Sequence, residues 1–166
     1  MSVVVDLGCA PQHGHDGIED SIGPLIERFD PDAFYGFDPA EGDWFDAAER
    51  EIEGVLYAEL HRKAAWLYDG RVGFRHKGIR GRVAPRVRET PVACFDFPAW
   101  LGKQPEPVIV KLDVEGAEYA LLAHVITRGC ASKLERVLVE WHRGGPVGTR
   151  AWILERLECP VEDWHA

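Results

Sequence analysis

The chain has 166 residues, of which 46% are hydrophobic, and its formal net charge is -9. This length and composition suit one compact domain with a single core, so we expect residues 1–166 to form one domain. The excess of acidic residues disfavours a general nucleic-acid-binding role, because affinity for phosphate backbones comes chiefly from clustered Lys and Arg.

The sequence contains no apolar stretch long enough to span a membrane, and its first residues enter a strand pattern without a charged leader. Its four cysteines are widely and irregularly spaced, which favours reduced thiols over a disulfide framework. The cysteines are Cys9, Cys94, Cys130 and Cys159. Together these features predict a cytoplasmic protein.

The first half of the chain opens with residues 2–7, a Val-rich run typical of a central strand buried on both faces. A helix is expected to begin near Ser21, because Pro24 is tolerated only in a first turn. Residues 8–20 are therefore expected to form a long loop. Residues 33–37 predict the next strand.

The middle of the chain continues with strand patterns at residues 55–60 and 64–68, before a turn at Asp69 and Gly70. Residues 71–75 alternate apolar and basic side chains, as an edge strand does. The remaining predicted elements are a strand at 91–95, a short helix at 97–101, a central strand at 108–112, a helix that ends at Gly129, a strand at 136–141, a helix around 153–157 and a terminal strand at 161–164.

Alternating strands and helices predict an α/β fold, with a mostly parallel central sheet and helices on both faces. Ligands of such sheets bind beyond the carboxyl ends of the strands. Asp6, Asp38, Asp113 and His142 all fall at predicted strand ends. Each carboxylate alone is explained by a helix cap or a solvated loop, but their convergence predicts a site.

Five segments carry a resemblance to a known family. They are DLG at residues 6–8, YGFDP at 35–39, AAWLYDG at 64–70, KLDVEGAE at 111–118 and VEWH at 139–142. In this order they resemble the FkbM-type methyltransferases, which use S-adenosylmethionine. The resemblance implies a single-domain, Rossmann-like class I methyltransferase fold. As a departure from the family pattern, we expect this fold in a minimal form, without an N-terminal cap and with a shortened C-terminus.

The resemblance also implies a set of cofactor contacts. Gly8 would let the backbone approach the methionine portion, and Asp6 would orient this loop or bind the amino group. Asp38 would accept hydrogen bonds from both ribose hydroxyls. Ala65 and Trp66 would line the adenine site, although Trp66 can equally be a core aromatic. The implied cofactor-binding residues are Asp6, Gly8, Cys9, Ala10, Asp38, Pro39, Ala65, Trp66 and Asp113.

Methyl transfer requires alignment, exclusion of water and removal of a proton from the acceptor. Asp113 is the candidate nearest the transferred methyl, and burial would raise its pKa toward that of a general base. His142 is the alternative base, because a neutral imidazole is available near pH 7. Glu115 is a further catalytic candidate, whereas the helix dipole explains Glu118 better than catalysis does. Lys111 is expected to pair with one of these acids.

Metal binding is considered and not favoured. Asp113, Glu140 and His142 could converge as oxygen and nitrogen ligands, as in metal-assisted oxygen methyltransferases. Cys9, His13 and His15 could bind zinc, but a flexible polar loop explains them more simply. The sequence therefore predicts no metal.

A basic segment interrupts this acidic chain. Its members are Arg71, Arg75, Lys77, Arg80, Arg82, Arg86 and Arg88, with no acidic residue among them. One interpretation is a clamp for an anionic acceptor, and the favoured one is an edge hairpin whose charges prevent pairing between molecules.

The main functional hypothesis is a methyltransferase that acts on oxygen in a small-molecule or glycan acceptor. The alternative is a non-catalytic S-adenosylmethionine-binding subunit, and a homo-oligomer is compatible with either. A nicotinamide-dependent enzyme is a weaker third hypothesis, since the GxGxxG spacing does not follow Gly8.

Overall fold

The computed structural model describes residues 1–10, 12–14, 17–19, 21–40, 52, 54–77, 80–83 and 90–164. Its strands are β1 (Val3–Leu7), β2 (Gln12–Gly14), β3 (Gly17–Glu19), β4 (Ala33–Phe37), β5 (Tyr57–His61), β6 (Ala64–Trp66), β7 (Gly70–Lys77), β8 (Arg80–Val83), β9 (Thr90–Asp96), β10 (Val108–Leu112), β11 (Leu134–Val139) and β12 (Val161–Asp163). Its helices are α1 (Ile22–Phe29), α2 (Phe97–Gly102), α3 (Glu118–Thr127) and α4 (Thr149–Leu154), with a 3-10 turn at Ala131–Lys133.

The main sheet has six strands in the order β12-β11-β10-β1-β4-β5. Each of its strand pairs is parallel. Renumbered along the chain, these strands have the order 3-2-1-4-5-6, which is that of doubly wound nucleotide-binding sheets. The two central strands, β1 and β10, are buried throughout, as their apolar sequences predicted.

The sheet is covered by helices on both faces, so the predicted α/β architecture is confirmed. Val5 points into a core cluster that includes Leu101 of α2, Leu121 of α3 and Ile153 of α4. Val4 points into the opposite cluster, which includes Ile22 of α1. This alternation is the period of two expected of a strand, and each buried aliphatic side chain contributes about 1.5–3 kcal/mol.

A second, four-stranded sheet is inserted between β5 and β10, in the order β6-β9-β7-β8. It packs onto the main core through Phe95 of β9, whose ring stacks on Phe37 at 4.3 Å between centroids. The prediction of an edge strand at residues 71–75 was wrong, because β7 pairs with both β8 and β9. The edge position belongs to β8.

The other boundaries differ from the predictions in detail. Helix α1 begins at Ile22 with Pro24 in its first turn, as predicted. The expected long loop of residues 8–20 instead contains the short antiparallel pair β2–β3. The four cysteines are unpaired thiols, in agreement with the spacing argument. In the described part of the chain, no helix combines the length and apolarity needed to cross a bilayer.

Candidate functional site

Three neighbouring strands end together at the carboxyl edge of the main sheet. In the register of the sheet, Leu7 of β1 lies beside Phe37 of β4 on one side and beside β10 on the other. The Gly8 N–H donates to the Phe37 carbonyl at 2.8 Å, and the Asp113 N–H donates to the Leu7 carbonyl at 2.9 Å. Asp38 and Asp113 therefore flank Gly8 on its two sides.

Gly8 occupies a position that admits no side chain. Its φ of +88° lies in the left-handed region, and an added Cβ would overlap the carbonyl oxygen of Asp113. The overlap is with backbone, so no rotation of a side chain can relieve it. Glycine is therefore required here by the close packing of the Gly8 loop against the Asp113 backbone.

Asp38 is held by backbone donors from two loops. Its Oδ1 accepts from the Ala40 N–H at 2.7 Å, and its Oδ2 accepts from the Ala10 N–H at 3.2 Å. Burial raises the pKa of Asp38, although both N–H donors oppose this shift. Each carboxylate oxygen has two lone pairs, so a fixed carboxylate with these two bonds retains acceptor sites for hydroxyl groups.

The residues beside Asp38 and Gly8 lie at the same edge of the sheet, but they differ in exposure. Ala10 and Pro39 are half-buried. The Cys9 side chain is completely buried in the core, and burial, reinforced by Asp6 and Asp38, raises the pKa of its thiol. A contact of Cys9 with a ligand would therefore be made by its backbone.

Asp6 lies beneath this edge in a fully buried polar network. Lys111 Nζ is 3.1 Å from Asp6 Oδ1 and donates to the Gly8 carbonyl at 2.9 Å. The Ser21 hydroxyl donates to Asp6 Oδ2 at 2.5 Å. Of the acids that the sequence suggested as partners of Lys111, Asp113 lies 3.9 Å from Nζ, but Asp6 is the nearer partner. Asp6 acts through Lys111 on the Gly8 loop, and Ser21, which the sequence indicated only as a helix start, completes the network.

Asp113 is nearly buried, with 9% of its side chain exposed. Its Oδ2 lies 3.9 Å from Lys111 Nζ, and its Oδ1 lies 3.8 Å from His142 Nε2. Burial raises the pKa of Asp113, as the sequence analysis expected, while Lys111 opposes the shift and Glu140 adds to it. The side chain is thus placed between a lysine and a histidine at the strand edge.

His142 is surrounded by carboxylates. Its Nε2 lies 3.4 Å from Glu115, 3.6 Å from Glu140 and 3.8 Å from Asp113. Glu118 beside Nδ1 makes the largest contribution to raising the pKa of His142 to about 9; burial opposes the rise, and the charges of Glu115 and Asp113 add to it. The imidazole is then protonated near pH 7, which differs from the neutral base expected from the sequence.

Glu118 holds this cluster together and is completely buried. Its Oε1 accepts from the His142 N–H and its Oε2 from the Gly116 N–H, both at 2.8 Å. The Tyr119 hydroxyl donates to the His142 carbonyl at 2.9 Å. Glu118 is the first residue of α3, so its contacts support the structural interpretation. Glu115, one turn before the helix, has the left-handed φ of +51°.

Ala65 and Trp66 follow the third strand of the main sheet, as expected, and lie in β6 of the second sheet. Ala65 is buried in the main core, and Trp66 is partly buried against it. The third strand ends at His61, whose carbonyl accepts from the Asp38 N–H at 3.0 Å and whose ring stacks on Phe37. His61 was not predicted, because the strand pattern was taken to end at residue 60.

The remaining predicted features are only partly described. Arg71 donates to the Pro91 carbonyl at 2.7 Å, and β7 and β8 form an antiparallel hairpin in which Arg75 lies opposite Arg82. Arg86 and Arg88 of the basic segment lie outside the described residues. His15 of the suggested zinc set also lies outside them.

Comparison of the chain with protein-family models, with curated proteins and with solved structures found no significant match.

Proposed function

We propose that the protein is an S-adenosylmethionine-dependent methyltransferase that acts on oxygen in a small-molecule or glycan acceptor. The observation that carries the proposal is Asp38, a carboxylate fixed by the Ala10 and Ala40 N–H groups beside the half-buried Gly8 loop. It offers rigid acceptors for two ribose hydroxyls.

The charge of the strand edge favours a sulfonium over a dinucleotide. Asp38, Asp113, Glu115 and Glu140 lie at or just beyond the ends of neighbouring strands. A pyrophosphate placed here would meet several carboxylates, whereas a sulfonium carries a compensating positive charge. Dinucleotides also require a helix N-terminus directly after the first strand, and here β2 and β3 separate Gly8 from α1.

The distance between the two sides of the site suits one nucleoside with a short side chain. Asp38 and Asp113 follow strands on either side of β1, so two strand spacings separate them by about 10 Å. A ribose bound at Asp38 would place the group on its 5′ carbon over Gly8 and toward Asp113. S-adenosylmethionine supplies the methyl group when it is bound.

Asp113 is the proposed group beside the reacting atoms. Its buried position and raised pKa suit it to accept a proton from an acceptor hydroxyl. Glu115 and His142 lie on the same side and would orient the acceptor. Alignment of donor and acceptor supplies most of the remaining rate enhancement in an in-line transfer.

Calorimetric titration with S-adenosylhomocysteine and with NAD tests the cofactor. We expect the wild-type chain to bind S-adenosylhomocysteine, and Asp38→Ala to weaken this binding at least tenfold. Asp163→Ala is the matched control, since Asp163 also ends a strand of the main sheet but lies at its far edge and is exposed. Preference for NAD, or unchanged binding in Asp38→Ala, would refute the proposal.

Turnover separates an enzyme from a non-catalytic binding subunit. The chain is incubated with S-adenosylmethionine and a panel of hydroxylated small molecules and glycans, and S-adenosylhomocysteine is quantified. Acceptor-dependent release is expected for the methyltransferase. Tight binding without release for any acceptor would favour the alternative, a non-catalytic subunit.

A further inference from the structure

We propose that Asp113, Glu115 and His142 bind one divalent transition-metal ion, with Glu140 as a neighbouring fourth ligand. One potential ligand atom from each of the first three residues lies within 4.8 Å of the other two. The three residues come from two neighbouring strand ends, β10 and β11, which the sheet places side by side. From the sequence, the set Asp113, Glu140 and His142 was considered and not favoured, and Glu115 was not part of it.

The distances within the cluster fit a bridging ion better than direct hydrogen bonds. The carboxylate oxygens lie 3.4, 3.6 and 3.8 Å from His142 Nε2, for Glu115, Glu140 and Asp113 respectively. Hydrogen bonds between such groups are about 2.7–3.2 Å long. Ligand atoms about 2.1 Å from one ion lie roughly 3.0–3.4 Å apart, so small side-chain movements would complete the site.

The imidazole of His142 gives independent support. Both of its ring nitrogens are buried, and neither makes a hydrogen bond of acceptable geometry. Buried polar atoms are normally satisfied, so an orphaned ring nitrogen aimed at carboxylates indicates a missing partner. A metal ion at Nε2 would supply that partner.

The surroundings orient the histidine as a ligand. Glu118 and Tyr119 fix its backbone, and Glu118 Oε1 lies 3.5 Å from Nδ1. A carboxylate beside Nδ1 keeps a proton there, so a metal ion would bind at Nε2 in place of the second proton of the imidazolium, which is the usual arrangement behind histidine ligands. Glu118 is therefore a positioning residue in this proposal and does not contact the ion.

The charge balance also favours a dication. Four carboxylates lie within 4 Å of the His142 ring, and the neighbouring Lys111 lies closer to Asp6 than to Asp113. One cation of charge +2 would offset part of this excess. A donor set of one imidazole nitrogen with carboxylate oxygens suits Mn²⁺ or Zn²⁺ better than the soft metals.

The consequence for chemistry rests on the proposed function, although metal binding itself does not. The ion would lie on the Asp113 side of the site, where the acceptor is placed. A hydroxyl bound to the metal has a lowered pKa and a fixed orientation, so the metal would select acceptors with a hydroxyl or a pair of adjacent oxygens.

Manganese binding tests the proposal without any donor or acceptor. Chelator-treated protein is titrated with Mn²⁺, and free Mn²⁺ is followed by electron paramagnetic resonance, with Zn²⁺ used as a competitor. We expect one Mn²⁺ per chain and at least a tenfold loss of affinity in Glu115→Gln and in His142→Gln. Glu158→Gln, an exposed glutamate outside the cluster, should bind like the wild type.

Circular dichroism of each variant verifies its fold, and Glu115→Gln is the decisive change because Glu115 lies outside the core. A wild-type chain that binds neither Mn²⁺ nor Zn²⁺ overturns the proposal, as does equal affinity in Glu115→Gln and the wild type. Asp38→Ala should retain Mn²⁺ binding while losing S-adenosylhomocysteine. A failure of the metal site is thereby distinguished from a failure of the donor site.

Discussion

Asp6 and Lys111 lie directly opposite each other on the two central strands, and their side chains form a buried ion pair with 3.1 Å between Nζ and Oδ1. Burial acts to lower the pKa of Lys111, but the carboxylates of Asp6 and Asp113 outweigh it, so the pKa is raised. The lysine therefore remains charged and holds the Gly8 carbonyl at 2.9 Å. This pair fixes the loop on which the proposed donor site depends.

Replacing Lys111 should lower the free energy of unfolding substantially. Lys111→Met leaves Asp6 as an uncompensated buried charge, and we expect the free energy of unfolding to fall by about 3–5 kcal/mol in urea denaturation. Lys63→Met, at an exposed lysine, should change it by less than about 0.5 kcal/mol. The double variant Asp6→Asn/Lys111→Met should lose less than the sum of the single variants. Additive losses would show that the two side chains are not coupled.

The sequence contains a pattern that indicates this ion pair. VVVDL in β1 and VIVKL in β10 carry an acid and a base at the same position of two buried strands. A lysine inside a buried strand needs a counter-ion, and the neighbouring parallel strand can supply it at matching register. Among the acids that are close to Lys111 in sequence, Glu115 and Glu118 are turned toward His142.

Gly8→Ala should destabilise the fold far more than the same change at a glycine whose added Cβ would lie in open space. The new Cβ would overlap the Asp113 backbone in a left-handed conformation, so we expect a loss of about 2–5 kcal/mol in the free energy of unfolding. Gly129→Ala is the matched control, since Gly129 also has a positive φ but no atom within 4 Å of an added Cβ. Its expected cost is about 1–2 kcal/mol. Equal costs at the two positions would contradict the close approach.

Acid should weaken the contact between Asp96 and Arg128. Burial acts to raise the pKa of Asp96, but the Arg128 guanidinium and the Ala99 N–H outweigh it, so the pKa is lowered. The stabilisation is therefore complete above the ordinary Asp value of about 3.9 and is lost as the pH falls through the lower pKa of the folded state.

Asp96→Ala measures that contribution. Because Asp96 also caps α2 through the Ala99 N–H, we expect a loss of about 1–2 kcal/mol at pH 7. Denaturant unfolding at a series of pH values should show the difference from wild type shrinking below about pH 4. Glu158→Ala should follow the wild-type curve. A difference independent of pH would mean that the carboxylate charge contributes nothing.

The fold was more predictable than the site. Apolar runs and helix stripes predicted the main-sheet strands and the central position of β1 and β10, because burial on both faces leaves a strong pattern in a strand. The pairing of residues 64–66 with β9 in a second sheet was not predicted, and the third strand of the main sheet extends one residue further than expected, to His61. The convergence of Asp113 and Glu140 on His142 was suggested by the sequence, but the addition of Glu115, which has a left-handed φ of +51°, was not.

Asp113→Asn should separate catalysis from donor binding. The amide keeps the size of the side chain but cannot take a proton, so we expect turnover to fall by about 10²–10⁴-fold. The dissociation constant for S-adenosylhomocysteine should rise less than tenfold, because Asp38 and the Gly8 loop remain intact. The two values are measured by donor consumption and by calorimetry, with Asp163→Asn as the matched control at the far edge of the same sheet. Turnover that persists in Asp113→Asn would remove Asp113 from the chemistry and leave the carboxylates around His142 as the place to look for the proton acceptor.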